Sequence, residues 1–508
     1  MEQNNRGSWN SNIGFLLAAI GSAVGLGNIW GFPYKMGKSG GFTFLLVYLF
    51  LAVFVGLIVM ASELALGRKT RKAPIAAYQA VSKKYSWLGW LAVLSPFLIM
   101  TFYSVLGGYC IYYIIINLIN IFGGQFDSSS FGAMITNIPA SIGVLLAFMV
   151  ICFFIVAGGI SGGIEKFNKI GMPALFVMLL IIIVRSVTLP NAVEGLKFMF
   201  VPGYAVKGGF IEEAPNLIAV LGTAGGQMFF SLSLAMGAMI TYGSYLSKEE
   251  NLVKNSWIIV VADTLVALLA GFAVIPAAVA NGINSGIPVS EIKLGGPSLL
   301  FATLQDVFHN MGALGGIFGV IFYLLVLIAA VSSAISLMEV LSAHFIDKAT
   351  EKGKEVSRKK VVLIVSAVIT VIAILVAADG LGSNGFAPAD LFGGAVAGWN
   401  DCWLDFFDCW SEGIMMPLGA MLMALMIGFE IGPDVMLDEI HNGEHSPAFA
   451  KFYRICVTYI VPIVMAFVLA GQIEGFFGNT AVAYIIALVV FAIFVCFTLV
   501  GRKKAEEK

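Results

Sequence analysis

Apolar residues in this chain gather into long runs rather than into the one-sided stripes of a soluble helix or the alternation of a half-buried strand. A helix crossing a bilayer needs about 20 mainly apolar residues. Twelve runs meet that need, near 12–35, 42–66, 88–121, 140–157, 167–185, 217–245, 255–281, 315–346, 360–378, 396–429, 452–471 and 480–500. Cations mark the intervals between them, because short cytoplasmic loops carry the Lys/Arg excess. Arg68, Lys69, Arg71, Lys72, Lys83 and Lys84 follow the second run, Lys348, Lys352, Lys354, Arg358, Lys359 and Lys360 the eighth, and Arg502, Lys503 and Lys504 the twelfth. The alternate intervals hold Lys35, Lys38, Lys197, Lys207 and Lys293, with Arg185 at a boundary. The pattern predicts an all-α polytopic membrane protein of about 12 transmembrane helices in the cell membrane, both termini cytoplasmic.

Composition sharpens this. Of 508 residues, 59% are apolar and 12% charged, and the mean hydropathy is +0.93; soluble domains run nearer half apolar and a quarter charged. A soluble enzyme and a disordered chain are both excluded. The formal charge of −1 gives no bulk attraction to nucleic acid. The polar start, Met1 to Asn12, lacks a cleavable-signal pattern, so the first span is expected to be retained. The intervals 284–312 and 379–412 carry Pro288, Pro297 and Pro388 and read as folded external loops, too short for separate domains. The second of them holds Asp379, Asp390, Asp401, Asp405, Asp408 and Glu412 with no Lys or Arg between, which fits a solvated loop and also a vestibule that attracts cations. Cys110, Cys152, Cys456 and Cys496 lie in apolar runs as small hydrophobes, and only Cys402 and Cys409 are placed to pair.

Two runs contain their own interruptions. The first carries Gly21-Ser22-Ala23-Val24-Gly25-Leu26-Gly27-Asn28, and the sixth carries Gly222, Gly225 and Gly226 before Gln227, Ser231, Ser233 and Gly237. Mid-helix glycine costs about 1 kcal/mol relative to alanine, so these are places where helix is easily abandoned. Unwound backbone at membrane depth is tolerated only against protein or a polar cavity, and a cation held by carbonyls is one such partner. Close helix contacts through small residues are the competing explanation; the added polar groups favour a site. Glu63, Asp263 and Ser332-Ser333 are likewise polar amid apolar sequence, and a carboxylate there costs roughly 2.5 kcal/mol or more. Asp263 is the better cation ligand, Glu63 the better acceptor for freed backbone amides, and paired serines can bond the preceding turn. Matched interrupted spans in two halves of a chain are a mark of secondary transporters with inverted repeats.

At this point the residues resemble the neurotransmitter:sodium symporters, bacterial amino-acid branch, over nearly the whole chain. The stretch from Gly21 through Trp30, followed by Phe32-Pro33-Tyr34, looks like that family's first-span signature. Gln227 to Gly237 with Ile240-Thr241-Tyr242 and Ser244-Tyr245, Phe102-Tyr103, and Ala329-Ala330-Val331-Ser332-Ser333 support it, while Gly163 and Pro173 resemble a fifth-span motif used for unwinding on the cytoplasmic side. The resemblance implies a single transporter domain over 1–508, a 5+5 inverted repeat with broken helices 1 and 6, repeats over 12–185 and 217–429, and two additional helices in 452–500. It implies Na+ at two sites and no organic cofactor: one ion on Ala23, Asn28, Ser231, Asp263 and the substrate carboxylate, the other on Gly21, Val24, Ala329, Ser332 and Ser333. An amino-acid substrate would lie against Ala23, Gly25, Leu26, Gly27, Ile99, Tyr103, Phe230, Ser231, Ser233, Met236, Ser333 and Leu337. Tyr103, Phe230, Gln227, Asp408 and Lys35 would form the outer gate, and Arg6, Trp9, Ser244, Tyr245, Glu339 and Asp347 the inner one, with Arg6 and Asp347 as an ion pair; Arg6 also fits an ordinary inside-positive charge.

Two departures stand out. Gly31 occupies a position where the family typically has arginine, so Asp408 lacks its usual partner and Lys35, four residues on, is expected to substitute. Ala267 stands where chloride-dependent members have Ser or Asn and many independent ones Glu, while Asp263, one turn earlier, supplies negative charge; chloride independence is expected. With Met236, Ile99, Leu337 and Phe230 the pocket suits a hydrophobic or aromatic L-amino acid. A proton-coupled or exchange-type carrier of the same broad fold is the alternative. A channel lacks its repeated filter, and an enzyme finds no His-Glu-x-x-His metal motif here. His441 and His445 beside Asp438 and Glu444 fit a solvated loop better than a metal site. Oligomeric state is not readable from sequence.

Overall fold

The computed structural model describes residues 8–292, 294, 296–396, 398–441, 446–477 and 480–506. Helices joined by turns, bends and irregular stretches make up the described residues, with no strand among them. Among the described residues, ten helices are each long and apolar enough to cross a membrane: Phe42–Thr70, Leu88–Ile121, Ile138–Ala157, Ile160–Val187, Leu252–Asn284, Gly315–Glu351, Arg358–Asp379, Trp403–Ile431, Pro447–Gly475 and Thr480–Val500. They are spans two to five and seven to twelve. The first span is a bent pair, Asn12–Ala23 and Gly27–Lys38, meeting at 45°. The sixth begins as Leu217–Ser231, which falls short of a full crossing, and resumes after a non-helical stretch as Ala238–Gly243. All twelve apolar runs are thereby accounted for.

Lipid-facing and enclosed helices differ as expected of a bundle in a bilayer. Spans three and eight are largely enclosed, whereas Phe154, Ile170, Val184, Val371 and Leu488 stand exposed on the outer helices, where hydrocarbon rather than water suits them. The bundle has a basic end, with Arg68, Lys72 and Arg358, and an acidic end, with Asp401, Asp405 and Asp408. At the acidic end the interval 284–312 folds back as Leu299–Thr303 and Leu304–Asn310. The tenth span starts later than its apolar run, at Trp403, where Cys402 caps the helix, and a separate short helix, Pro388–Phe392, precedes it. Cys402 and Cys409 are both buried free thiols, so the structure does not pair them.

Glycines in the sixth span do a different job from the one their spacing suggests. Gly222, Gly225 and Gly226 remain helical, and a Cβ on Gly222 would lie 2.8 Å from Gly471 Cα, so they let the eleventh span approach closely. The unwinding falls later, at 232–237, where Ser233, Ala235 and Gly237 take φ of +53°, +57° and +72°. Ser233 and Ala235 are strained there, since only glycine adopts that region freely. The Ala235 amide, freed by this turn, donates to Glu63 Oε1 at 2.7 Å, the role expected of that carboxylate. Below the break, Gly67 and Gly243 let the second and sixth spans cross within backbone contact, with a Cβ on Gly67 only 2.0 Å from Ile240 O.

Candidate functional site

The first span loses its helix at Val24 and Gly25, where Val24 is extended at ψ 98°, and recovers as a π-helical turn over Gly27–Gly31. Asn28 caps the break from inside by accepting the Gly25 amide at 2.9 Å. Its Nδ2 donates to Asp263 Oδ1 at 2.7 Å, and the Ser231 hydroxyl lies 2.9 and 3.1 Å from the two oxygens of the same carboxylate. Tyr48, which the sequence reading did not single out, completes the surround at 3.4 Å. Asn28, Ser231 and Asp263, three of the first ion's four expected protein ligands, therefore converge across spans one, six and seven, with all three fully buried. Ala23, the fourth, lines the adjacent cavity.

The second set converges as closely. Ser332 Oγ lies 2.8 Å from the Ala329 carbonyl and 3.3 Å from that of Val24, while Ser333 Oγ lies 3.4 Å from the Gly21 carbonyl and 2.9 Å from that of Ser22. Carbonyl and hydroxyl oxygens with no nitrogen or sulfur among them form a hard donor set, which suits an alkali or alkaline-earth cation rather than a soft metal. Both groups thus fit sodium as cargo by donor chemistry. Between them a small cavity is lined by every residue expected to meet substrate except Leu26 and Ser231, with Ser22 added. Leu26 contributes backbone, since its amide donates to the Tyr103 hydroxyl at 2.9 Å. One wall is apolar, made by Ile99, Phe230, Met236 and Leu337, and no lining side chain carries a charge. Glycine is required here for space, because a Cβ on Gly25 would sit 2.2 Å from Ser333 Oγ and one on Gly27 would sit 2.7 Å from Phe230 Cδ1.

Toward the acidic end, the rings of Tyr103 and Phe230 lie over the cavity with centroids 6.3 Å apart. Gln227 donates to the Gly27 carbonyl at 2.7 Å, and its Oε1 occupies the space that a side chain at Gly31 would need. Lys35 reaches this layer, but its ion pair is with Glu412 rather than with Asp408, which corrects the expected partner. The reason is helical: Glu412 lies one turn beyond Asp408 on a tenth span that continues through a π-helical segment, Cys409–Met415.

Toward the basic end, Trp9 packs edge-on against Tyr242 and Tyr245 and donates to the Tyr242 carbonyl at 3.2 Å. Ser244 donates to the Thr241 carbonyl at 2.6 Å, and Asp347 accepts the Ala73 amide at 2.8 Å. Arg6 lies outside the described residues. The buried Glu339 accepts Tyr245 Oη at 2.8 Å and pairs with Arg358, whose Nε also donates to the Val156 carbonyl at 3.0 Å. Arg358 therefore joins spans four, eight and nine, a role that sequence reading missed by counting it only as a topological cation. Gly163 sits in a π-helical turn, Ile160–Glu165, and Pro173 lies within the helix that follows, so the proposed unwinding segment is wound here. His441 is buried at the end of a helix, Asp434–His441, while Glu444 and His445 lie outside the described residues.

Known proteins share this architecture. The profile described as the Sodium:neurotransmitter symporter family matches residues 6–122 and 129–502. The chain is 32% identical over 471 residues to the uncharacterized sodium-dependent transporter YhdH of Bacillus subtilis, covering 92% of this chain and 97% of that one. It is 24% identical over 512 residues to the sodium-dependent serotonin transporter of Drosophila melanogaster, covering 93% and 77%. The crystal structure of MhsT in complex with L-phenylalanine matches with a TM-score of 0.79 and 33% identity, covering 92% of this chain and all of that one, 100%. The chain belongs to the sodium:neurotransmitter symporter family, as a multi-pass membrane protein that couples transport of a small molecule to sodium.

Proposed function

We propose that this protein imports a hydrophobic or aromatic L-amino acid together with sodium, by alternating access and without chloride. The observation that carries the reading is the cavity itself: an apolar, uncharged wall on one side and two clusters of hard oxygen donors on the other. An amino acid fits with its side chain on Ile99, Phe230, Met236 and Leu337 and its carboxylate toward Gly25, Gly27 and Tyr103, where it becomes a ligand of the sodium held by Asn28, Ser231 and Asp263. A second sodium takes the oxygens of Gly21, Val24, Ala329, Ser332 and Ser333. The basic end is cytoplasmic, as the cation asymmetry requires, and the first and second sets of five spans form inverted repeats around the two breaks. Tyr103, Phe230, Gln227 and the Lys35–Glu412 pair close the outer route; Trp9, Tyr245, Glu339 and Asp347, with Arg358, close the inner one.

L-phenylalanine bound to MhsT supports the substrate class by likeness. Binding of radiolabelled phenylalanine to the purified protein, competed by each of the twenty amino acids, tests it: aliphatic and aromatic residues should compete and charged ones should not. Uptake into proteoliposomes should stop when choline replaces sodium and persist when gluconate replaces chloride. Persistence in choline would point instead to proton coupling or exchange.

A further inference from the structure

At the acidic end, away from the central cavity, a cleft opens between the fifth, seventh and eighth spans. Its inner part is narrow and lined chiefly by apolar side chains, among them Ile182, Phe318 and Phe322. Its mouth, about 800 Å³, is polar, with Arg185, Asn281 and Ser285. Arg185, Leu189, Val307 and Met311 line both parts, so the two adjoin. No carboxylate lines either part, and among the described residues Arg185 makes no ion pair. An arginine at the edge of the hydrocarbon needs an anion or water for its guanidinium, and no described carboxylate lining the cleft supplies the anion.

Ser186 points the same way. It is 2% exposed, lines the inner part, and its hydroxyl has no hydrogen-bond partner. A buried hydroxyl left without an acceptor costs about 1–3 kcal/mol. Asn281, at the mouth, accepts from Asn310 Nδ2 on its Oδ1 at 2.8 Å and has its Nδ2 as a further donor group. An unpaired guanidinium, an amide donor and an orphaned hydroxyl thus stand in sequence from a polar mouth to an apolar groove.

We propose that this cleft is a binding site for one anionic phospholipid, with the phosphate on Arg185, a glycerol ester oxygen on Ser186 and an acyl chain in the groove against Phe318 and Phe322. Phosphate answers the guanidinium with charge and bidentate geometry, the ester carbonyl supplies the acceptor Ser186 lacks, and the chain fills space that water would wet poorly. An arginine that merely reached toward the headgroup layer would need neither groove nor buried hydroxyl.

Native mass spectrometry of the full-length protein, offered phosphatidylglycerol or phosphatidylethanolamine with identical acyl chains, tests the site. The wild type should retain phosphatidylglycerol several-fold better. Arg185→Gln should bring the two lipids to parity, whereas Lys207→Gln, which removes an exposed cation at the same end but outside the cleft, should leave the preference intact. Glycerol phosphate without acyl chains should fail to displace the lipid. Should Arg185→Gln not fold, phosphatidylglycerol with a photoreactive acyl chain decides on the wild type alone: label concentrated on the fifth and eighth spans near Ile182 and Phe318 supports the site. Label spread evenly over the outer helices, equal retention of both lipids, or displacement by glycerol phosphate overturns it.

Discussion

A carboxylate enclosed at mid-membrane depends on the donors and cations around it, and Asp263 is surrounded by Asn28, Ser231 and Tyr48. Those neighbours are uncharged, so in the proposed first sodium site Asp263 would supply the formal charge. Ligand charge is a main control of affinity in oxygen sites. Asp263→Asn keeps shape and size while removing that charge. The sodium concentration giving half-maximal phenylalanine binding should rise at least about tenfold, or about 1.4 kcal/mol, with thermal stability held or raised because a buried charge has gone. An unchanged sodium dependence would place the ion elsewhere. Ser332 and Ser333 act differently, since their hydroxyls already lie near carbonyls of two spans and bring geometry without charge.

Elements are held to one another at both ends by pairs whose chemistry can be separated from the site. Lys35 on the first span and Glu412 on the tenth are mostly enclosed, at 15% and 7% side-chain exposure, and removing one member of such a pair leaves the other charge without its partner. Lys35→Ala should lower uptake and raise the reactivity of cysteines introduced beside Tyr103 toward a reagent added at the acidic side; if both stay at wild-type values, the pair is not a gate. At the basic end, Arg68 on the second span is fully buried and donates to Glu439 at 2.7 Å and to the Glu250 carbonyl at 2.5 Å, while Lys248 reaches both Glu439 oxygens. Burial pushes the Glu439 carboxyl up, but the hydrogen bonds and charges of Lys248 and Arg68 outweigh it and hold the group below its ordinary value. A carboxyl depressed in the folded state stabilises fully above its unfolded pKa, about 4.3, and loses that contribution as pH falls through its lower folded value. Glu439→Gln should therefore cost roughly 3–5 kcal/mol near neutrality, and the gap between the two melting curves in detergent should narrow as pH falls from the unfolded value, about 4.3, through the lower folded one. How legible all this was differs by element. Run lengths carried the spans, because lipid demands about 20 apolar residues from each, and the break in the first span was visible because Gly25 and Gly27 coincide with it. The Gly222–Gly226 cluster misplaced the sixth-span break, since glycine serves close packing and unwinding alike. Lys35 meeting Glu412, and Arg358 meeting Glu339, depend on helix rotation and on π-helical turns that no one-dimensional spacing encodes.

For the molecule as a whole, the two breaks lie side by side and share partners: Ser233 of the sixth span donates to the Ser22 carbonyl of the first at 2.8 Å, and Ser231 and Asn28 meet on Asp263. If the substrate carboxylate joins that group as a sodium ligand, ion and substrate each complete the other's site, and neither half-filled site satisfies its oxygens. The coupling free energy is then one quantity seen from two directions. Saturating sodium should tighten phenylalanine binding by some factor, and saturating phenylalanine should tighten binding of radioactive sodium by the same factor, typically about 5–150-fold. An amino-acid analogue with a neutral amide in place of the carboxylate should still fill the apolar wall yet return that factor close to one. Asp263→Asn should weaken sodium binding with and without substrate, because it alters the ion's own ligands, but it leaves the substrate carboxylate to contribute. Equal tightening by carboxylate and amide analogues would separate the ion from the substrate and leave the shared geometry of the two breaks as packing alone.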